Sequence, residues 1–210
     1  MDTQSTYDRI AAHFAKTREY AWPEVESFVS DRSAARALDV GCGNGRHAEL
    51  LAERADSVVG VDLSRELLRA AAERARERGF DDVLDLVHAD AAALPLADDT
   101  VGLATYVATI HHLSPRDARV RSLDELARVL APGGAALVSA WSTAHDRFDQ
   151  EEGFDTTVDW TLPGGDTVPR YYHIYSPAEF EADIAESDLE LVEVDVSSGN
   201  CYAVVASAHP

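Results

Sequence analysis

Asp39-Val40-Gly41-Cys42-Gly43-Asn44-Gly45 is the stretch that decides the fold of this chain. It ends a short apolar run from Ala37 to Val40, which predicts a buried strand, and it precedes a helical pattern through Leu50 and Leu51. Glycines at alternate positions let a backbone turn tightly and approach a ligand with no Cβ in the way. A helix that follows such a turn points its free N–H groups at the bound molecule. The stretch therefore predicts a ligand-binding turn between a strand and a helix.

Outward from this turn, apolar strands alternate with amphipathic helices. Strands separated by helices imply a parallel sheet with right-handed crossovers and helices on both faces. Two strands in succession at the end of the chain imply a terminal antiparallel hairpin. The sequence thus predicts a doubly wound, seven-stranded, mostly parallel α/β sheet. The predicted strands cover residues 37–40, 58–61, 83–87, 101–105, 135–141, 189–196 and 201–206.

The length of 210 residues predicts one domain. Residues 1–33 are expected to form a helical cap, whose second helix opens at Pro23, a residue favoured at the first helical position. Residues 142–175 show no clear period, so we expect an inserted loop on the substrate side. No run approaches the ~20 apolar residues of a membrane helix. The N-terminus lacks the basic and apolar regions of a signal peptide, which predicts a cytoplasmic location.

The charge balance is unusual, with 38 acidic residues, 18 basic residues and a net charge of −20. Lys16 is the one lysine, and this bias resembles that of proteins from extreme halophiles. Molar salt shortens the Debye length to about 3 Å, so the net charge repels itself weakly there. The same screening weakens the usual argument that an acidic chain avoids nucleic acid. Net charge therefore neither supports nor excludes an RNA substrate.

Three features fall at the carboxyl ends of predicted strands, where open α/β sheets bind their ligands. The first is the glycine turn. The second is Asp62, placed to accept from both hydroxyls of a ribose, and the third is Asp90 beside Ala91, suited to accept from an adenine amino group. Arg46 stands where a dinucleotide fingerprint has its third glycine. From Ala35 to about Trp141 the chain resembles class I S-adenosylmethionine-dependent methyltransferases.

This resemblance implies S-adenosylmethionine as cofactor and S-adenosylhomocysteine as product. It implies contacts from the glycine turn, from the ends of the next strands and from the N-terminal helix. Tyr7 and Arg18 are expected to close over the methionine end of the cofactor. The expected cofactor-binding residues are Tyr7, Arg18, Asp39, Gly41, Cys42, Gly43, Asn44, Gly45, Asp62, Leu63, Asp90, Ala91 and His112.

Further segments resemble one branch of this class, the tRNA methyltransferases that esterify the carboxymethyl group of a wobble uridine. The segments that carry the resemblance are Tyr7–Arg18, Trp22-Pro23, Ile110-His111-His112-Leu113, Trp141, Val158–Pro163, Arg170-Tyr171-Tyr172-His173 and Gly199-Asn200-Cys201-Tyr202. They span nearly the whole chain. Two positions depart from the pattern, because Ser197-Ser198 replaces a charged pair and Cys201 stands where an aromatic residue is usual. Both departures bear on the identity of the substrate if they touch the modified base.

A carboxylate acceptor is already ionised near neutral pH, since its reference pKa is about 4. Methyl transfer to it needs no general base, only an oxygen aligned about 3–3.5 Å from the methyl group with water excluded. Arg170 is the leading candidate to hold the acceptor carboxylate, because an arginine bracketed by aromatic residues in a loop has little structural purpose. Trp160 and Trp141 could wall a flipped-out base. The expected catalytic residues are Arg170, His173, His111, Tyr172 and Trp160.

The resembled family works with a small zinc-binding activator subunit, so tRNA and such a protein are the expected partners, with neither membrane nor DNA. In the usual strand order of this fold, Val83–Val87 lies at the sheet edge. An apolar edge strand is a liability unless covered, and strand addition by a partner would cover it. Cys42 and Cys201 form neither a disulfide framework nor a zinc-spaced set. We expect no metal in this chain, and any zinc belongs to the partner.

Three alternatives stay open at this point. A methyltransferase for a quinone or another metabolite also fits the Tyr7–Arg18 stretch, although Trp160 and Arg170–His173 favour tRNA. A non-catalytic subunit could keep the fold as a binding module, but the intact glycine turn, Asp62 and Asp90 argue against it. A nicotinamide-dependent enzyme would share the glycine turn and would bind NAD in place of S-adenosylmethionine.

Overall fold

A computed structural model describes residues 2–208. The strands are β1 Ala34–Val40, β2 Ala55–Asp62, β3 Leu84–His88, β4 Val101–Val107, β5 Leu130–Trp141, β6 Phe154–Thr161, β7 Thr167–Ile174, β8 Leu189–Ser197 and β9 Asn200–Ser207. The α-helices are α1 Thr3–Thr17, α2 Pro23–Val29, α3 Arg46–Ala52, α4 Arg65–Arg78, α5 Arg116–Val129 and α6 Pro177–Glu186.

Seven strands form one sheet in the order β3-β2-β1-β4-β5-β9-β8. The first five strands of the chain pair in parallel, and β9 runs antiparallel to both β5 and β8. The predicted fold, including the terminal antiparallel hairpin, is confirmed. After β3 the chain crosses back to place β4 beside β1, so the strand order switches between these two strands. A crevice opens at such a switch beyond the carboxyl ends of the strands.

Helices cover both faces of the sheet and build two hydrophobic layers. On one face, Leu123 of α5 and Phe180 of α6 pack against the central strands. On the other face, Phe28 of α2 and Leu51 of α3 do the same. Apolar side chains on both faces explain why residues 37–40, 58–61 and 101–107 of the central strands are largely apolar in the sequence. No helix within residues 2–208 is long and apolar enough to cross a membrane.

Helix α1 is anchored on α4. The Oδ1 atom of Asp8 accepts hydrogen bonds from the Ser64 hydroxyl, at 2.6 Å, and from the Glu66 N–H, at 3.1 Å. Ser64 in turn caps α4, since its hydroxyl oxygen accepts from the Leu67 N–H at 3.2 Å. The carboxylate of Asp8 therefore satisfies free N–H and O–H groups at the start of α4, and α1 is fixed across the carboxyl ends of the strands.

The prediction of an inserted loop over residues 142–175 is wrong. Strands β6 and β7 form an antiparallel hairpin there, paired from Phe154↔Ile174 to Thr161↔Thr167. Along β7, Val168, Arg170 and Tyr172 are buried on the face toward the body of the protein. The alternation of strand residues exists in the sequence, but an arginine at a buried position breaks the apolar pattern by which it would be recognised.

Candidate active site

A cavity of about 730 Å³ lies at the predicted crevice, roofed by α1 and by the β6–β7 hairpin. Most of the residues expected to bind cofactor or acceptor come together on its walls. Asp39, Gly45, Trp160 and His173 do not line it. The expected residues that do line it are Tyr7, Arg18, Gly41, Cys42, Gly43, Asn44, Asp62, Leu63, Asp90, Ala91, His111, His112, Arg170 and Tyr172.

The glycine turn approaches the opposite wall closely. Gly41 has a φ of +69°, and a Cβ there would lie 2.1 Å from Oγ1 of Thr109. A side chain at this position would therefore collide with Thr109 and would also strain the backbone. The N–H groups of Gly41 and Cys42 both donate to the Val61 carbonyl, at 2.7 and 2.9 Å, which ties the turn to β2. Gly45 is the N-cap of α3 and supports the turn without reaching the cavity.

Asp62 ends β2 with its carboxylate toward the cavity. Its Oδ2 accepts from the Gly43 N–H and its Oδ1 from the Ser64 N–H, both at 2.8 Å. Each carboxylate oxygen can accept a further bond, so a diol such as that of ribose fits here. Burial raises the pKa of Asp62 to about 6, although these two N–H groups oppose the change.

Asp39 is buried behind the turn, and the expectation that it contacts the cofactor is corrected. Its Oδ1 accepts from the Thr105 hydroxyl at 2.8 Å, which fixes the side chain between β1 and β4. Burial raises the pKa of Asp39 to about 7, partly offset by the bond from Thr105. The strand holds this carboxylate in the core, so that it positions the turn from behind.

The far end of the cavity is lined by Asp90, Ala91 and Leu63. One oxygen of Asp90 accepts from the Ala92 N–H at 2.9 Å, and the carboxylate keeps further capacity to accept. Three features follow one another along the wall. They are the glycine turn, the Asp62 carboxylate that can accept from a diol, and the Asp90 carboxylate beyond it. These residues fit a nucleoside cofactor such as S-adenosylmethionine.

Two neutral histidines lie at the acceptor end. His112 Nδ1 is 2.9 Å from the Tyr171 carbonyl, which only accepts, so Nδ1 carries the proton. Its Nε2 therefore accepts from the Tyr7 hydroxyl at 2.7 Å. His111 Nδ1 accepts from the N–H of Trp141 at 2.9 Å. Burial lowers the pKa of His112 to about 4 and holds the pKa of His111 well below its usual range.

Arg170 projects from β7 into the cavity and is only 8% exposed. Its guanidinium carbon lies 4.8 Å from the ring centre of Trp160 and 5.1 Å from that of Tyr172. Among the described residues no carboxylate pairs with it, and its Nε has no hydrogen-bond partner. Burying a cation without a counter-ion is costly, so this side chain is prepared for an anionic ligand.

Trp160 and His173 are corrections to the expected catalytic set. Trp160 stands behind the wall, where its Nε1 donates to His13 Nδ1 at 3.0 Å and its ring supports Arg18 and Arg170. His173 lies on the opposite face of β7 from Arg170. Its two ring nitrogens bond Asp155 and Glu179 at 2.8 and 2.9 Å. Strand alternation places it there, away from the acceptor.

Several residues that line the cavity are not predicted from the sequence. Arg46 and His47 directly follow the glycine turn, which was an available signal, whereas nothing in the sequence points to His145 or Arg147. Of the two departures from the family pattern, Ser198 lines the cavity. Cys201 is fully buried and does not line it. The fold and the site define a nucleoside-cofactor-binding α/β protein.

Comparison with known proteins gives the family. A family model described as a methyltransferase domain matches residues 38–138. The tRNA (carboxymethyluridine(34)-5-O)-methyltransferase of Saccharomyces cerevisiae is 34% identical over 170 residues, 78% of this chain and 58% of its own length. A putative methyltransferase of Encephalitozoon cuniculi is 30% identical over 207 residues, 95% of this chain and 92% of its own. The chain belongs to the S-adenosylmethionine-dependent methyltransferase family, and its cofactor is S-adenosylmethionine.

The fold has close counterparts among solved structures. The complex between the Haloferax volcanii Trm112 methyltransferase activator and a putative methyltransferase matches with a TM-score of 0.73 at 16% identity, over 100% of this chain and 99% of that one. The chain spans 21–58% of the length of the first curated tRNA methyltransferases that it matches. Their substrates and partners therefore bear on this chain only as support for the proposals that follow.

Proposed function

We propose that this protein methylates the carboxylate of a carboxymethyl group on a wobble uridine of tRNA. The observation that carries the proposal is Arg170, a buried guanidinium with no counter-ion, which faces the cavity where an acceptor would lie. A carboxylate is the planar anion that a guanidinium binds through two parallel hydrogen bonds. The relative from Saccharomyces cerevisiae, whose name states this acceptor, supports the choice.

The residues at the acceptor end favour an acceptor that is already ionised. When bound, S-adenosylmethionine supplies an electrophilic methyl group on a sulfonium. His112, with its pKa near 4, and His111 are poor bases at neutral pH. Asp62 and Asp90 lie at the cofactor end. Two further groups of these types line the cavity, Asp159 on the exposed face of β6 and His145 half-buried beside Trp141. A hydroxyl or amine acceptor would need a base, whereas a carboxylate needs only to be held, as Arg170 can do.

Methyl transfer to purified tRNA tests this function. We expect label from S-adenosylmethionine to enter tRNA taken from a strain that lacks this protein, in molar salt, with the activator subunit present. Nucleoside mass spectrometry should identify a methyl ester on a wobble uridine. Because no base titrates, kcat should stay within about twofold between about pH 7 and 9. If S-adenosylmethionine binds and tRNA takes up no label, the acceptor is a metabolite and the proposal fails.

We also propose that a small zinc-binding activator adds a strand to β3. This strand lies at the sheet edge, as expected, one residue later than predicted. The Ala89 N–H and the Val83 carbonyl both point toward β2, so by alternation Leu86 presents its N–H to the open side. The fold counterpart from Haloferax volcanii was solved with a methyltransferase activator, which supports a partner of this kind.

A proline at the open edge tests this partner site. Leu86→Pro removes an outward N–H and is expected to weaken binding of the activator at least about 30-fold, since strand addition depends on main-chain hydrogen bonds. Asp85→Ala is the control, because its side chain is exposed and its N–H faces β2. Binding is measured by calorimetry after thermal melts establish that both variants fold. Wild-type affinity in a folded Leu86→Pro protein would place the partner elsewhere.

A further inference from the structure

Four arginines surround the cavity from its buried wall to its rim. Arg170 is buried, Arg18 and Arg46 are half-buried, and Arg147 is exposed. Within residues 2–208 none of the four has a carboxylate at ion-pair distance, a property that they share with exposed arginines outside the cavity such as Arg36. In a chain of net charge −20, unpaired cations around one cavity indicate an anionic ligand. The acceptor carboxylate on Arg170 and the methionine end of the cofactor, where Arg18 is expected, leave Arg46 and Arg147 without an anion.

Arg18 and Arg46 share one wall although they repel each other. The Arg46 guanidinium lies 5.2 Å from the ring centre of Trp22, and its Nη1 donates to the Tyr20 carbonyl at 3.3 Å. Burial and the charge of Arg18 lower the pKa of Arg46 to about 10. A phosphodiester bound to Arg46 would relieve this repulsion, which the buried Asp39 carboxylate only partly offsets.

The same wall holds a buried nitrogen without a partner. His47 lies beside Trp22, with ring centres 6.4 Å apart, and is 5% exposed. It lines the cavity, and its Nε2 has no hydrogen-bond partner in the described structure. Buried polar atoms in native proteins are almost always paired. Because this nitrogen is shielded from the cavity, the arginines are the groups that a ligand on this wall would meet.

Tyr20 lies just outside the cavity, between Arg18 and Trp22 in the connection from α1 to α2. Its side chain is 81% exposed, the highest value for a large apolar residue in the described part of the chain. An aromatic ring open to solvent beside arginines is the arrangement by which proteins bind single-stranded nucleic acid. Bases stack on the ring while guanidinium groups bind the phosphates.

We propose that residues 18–22 and Arg46 form a binding surface for single-stranded RNA, on which Tyr20 stacks the base next to the acceptor nucleotide. Arg46 binds the phosphodiester between the two nucleotides. The inference deepens the proposed function and rests on it for the identity of the acceptor. Stacking is little affected by salt, so it suits an acidic protein better than a large basic surface would.

Two substrates separate this surface from the acceptor site. One is an anticodon-loop oligonucleotide that contains 5-carboxymethyluridine, and the other is the free nucleoside. Tyr20→Ala should lower the ratio of kcat/KM for the oligonucleotide to that for the nucleoside roughly 5- to 150-fold, the range of one base–aromatic stack. Tyr20→Phe keeps the aromatic ring and should therefore keep the wild-type ratio. Arg46→Gln should reduce the salt dependence of oligonucleotide binding by about one phosphate contact.

Arg36→Gln is the matched control, because Arg36 is exposed and without an ion pair at the start of β1, at the other end of the sheet. An unchanged ratio in Tyr20→Ala overturns the inference and leaves the proposed function standing. If neither substrate is methylated, the proposed function fails, and fluorescence anisotropy with the labelled oligonucleotide decides the inference. Weaker RNA binding by Tyr20→Ala then supports it, and equal binding overturns it. Loss of activator binding in place of RNA binding would also overturn it.

Discussion

Arg170→Gln is expected to lower kcat/KM for tRNA by about 10²- to 10³-fold, while the dissociation constant of S-adenosylmethionine changes by about twofold at most. The loss corresponds to one buried, charge-assisted pair, about 3–4 kcal/mol. No carboxylate of the described chain pairs with Arg170 and its Nε is unpartnered, so its described contacts are with the Trp160 and Tyr172 rings and the Tyr7 hydroxyl. Steady-state kinetics and calorimetric titration of the cofactor measure the two quantities separately.

Arg170→Lys is the informative companion, because it keeps the charge and loses the planar fork. Lysine cannot bind a carboxylate through two parallel bonds or stack between Trp160 and Tyr172, so we expect it to remain at least about tenfold below wild type. Thermal melts should show that neither variant is less stable than the wild type. Arg170→Gln removes a buried cation that has no counter-ion, and Arg170→Lys changes its position. A value of kcat/KM within threefold of wild type in Arg170→Gln would remove the basis of the proposed acceptor.

The cofactor end could be predicted from sequence because its residues are local to strand ends. Gly41 follows β1, Asp62 ends β2 and Asp90 comes two residues after β3, and parallel strands bring their carboxyl ends to one edge. The alternation of strands and helices predicts the parallel sheet, and the resemblance to a known fold supplies the order of its strands. Asp39 has the same local signal but ends inside the core, because the strand itself fixes which way its side chain points.

The acceptor end could be predicted only in part. Arg170 was recognised from its aromatic neighbours, but His173 was placed in the site because the period of two in β7 was not recognised. Its actual partners, Asp155 and Glu179, come from β6 and α6, and nothing local indicates them. Tyr20 and Arg147 depend on which connections reach the rim of the cavity. Such a property belongs to the assembled fold and not to any short stretch of sequence.

Affinity for S-adenosylmethionine is expected to fall about tenfold for each pH unit below about 6, because the Asp62 carboxylate must be ionised to accept from two ribose hydroxyls. Burial raises the pKa of this group to about 6, with a further contribution from Asp8, whereas the N–H groups of Gly43 and Ser64 and the ring of His88 oppose the rise. Since the cofactor binds the ionised form, affinity is full above this pKa and is lost as pH falls through it. Calorimetric titrations between about pH 5 and 8 measure the change.

Asp62→Asn should bind S-adenosylmethionine about 10²-fold more weakly even at about pH 8, with no inflection near pH 6. The amide nitrogen can accept neither from a ribose hydroxyl nor from the N–H groups of Gly43 and Ser64. Asp39→Asn separates this effect from the other buried carboxyl group, whose pKa burial raises to about 7. Because Asp39 does not line the cavity, that variant should keep the inflection near pH 6. A dissociation constant that stays flat across this range in the wild type would mean that the cofactor does not depend on the charge of Asp62.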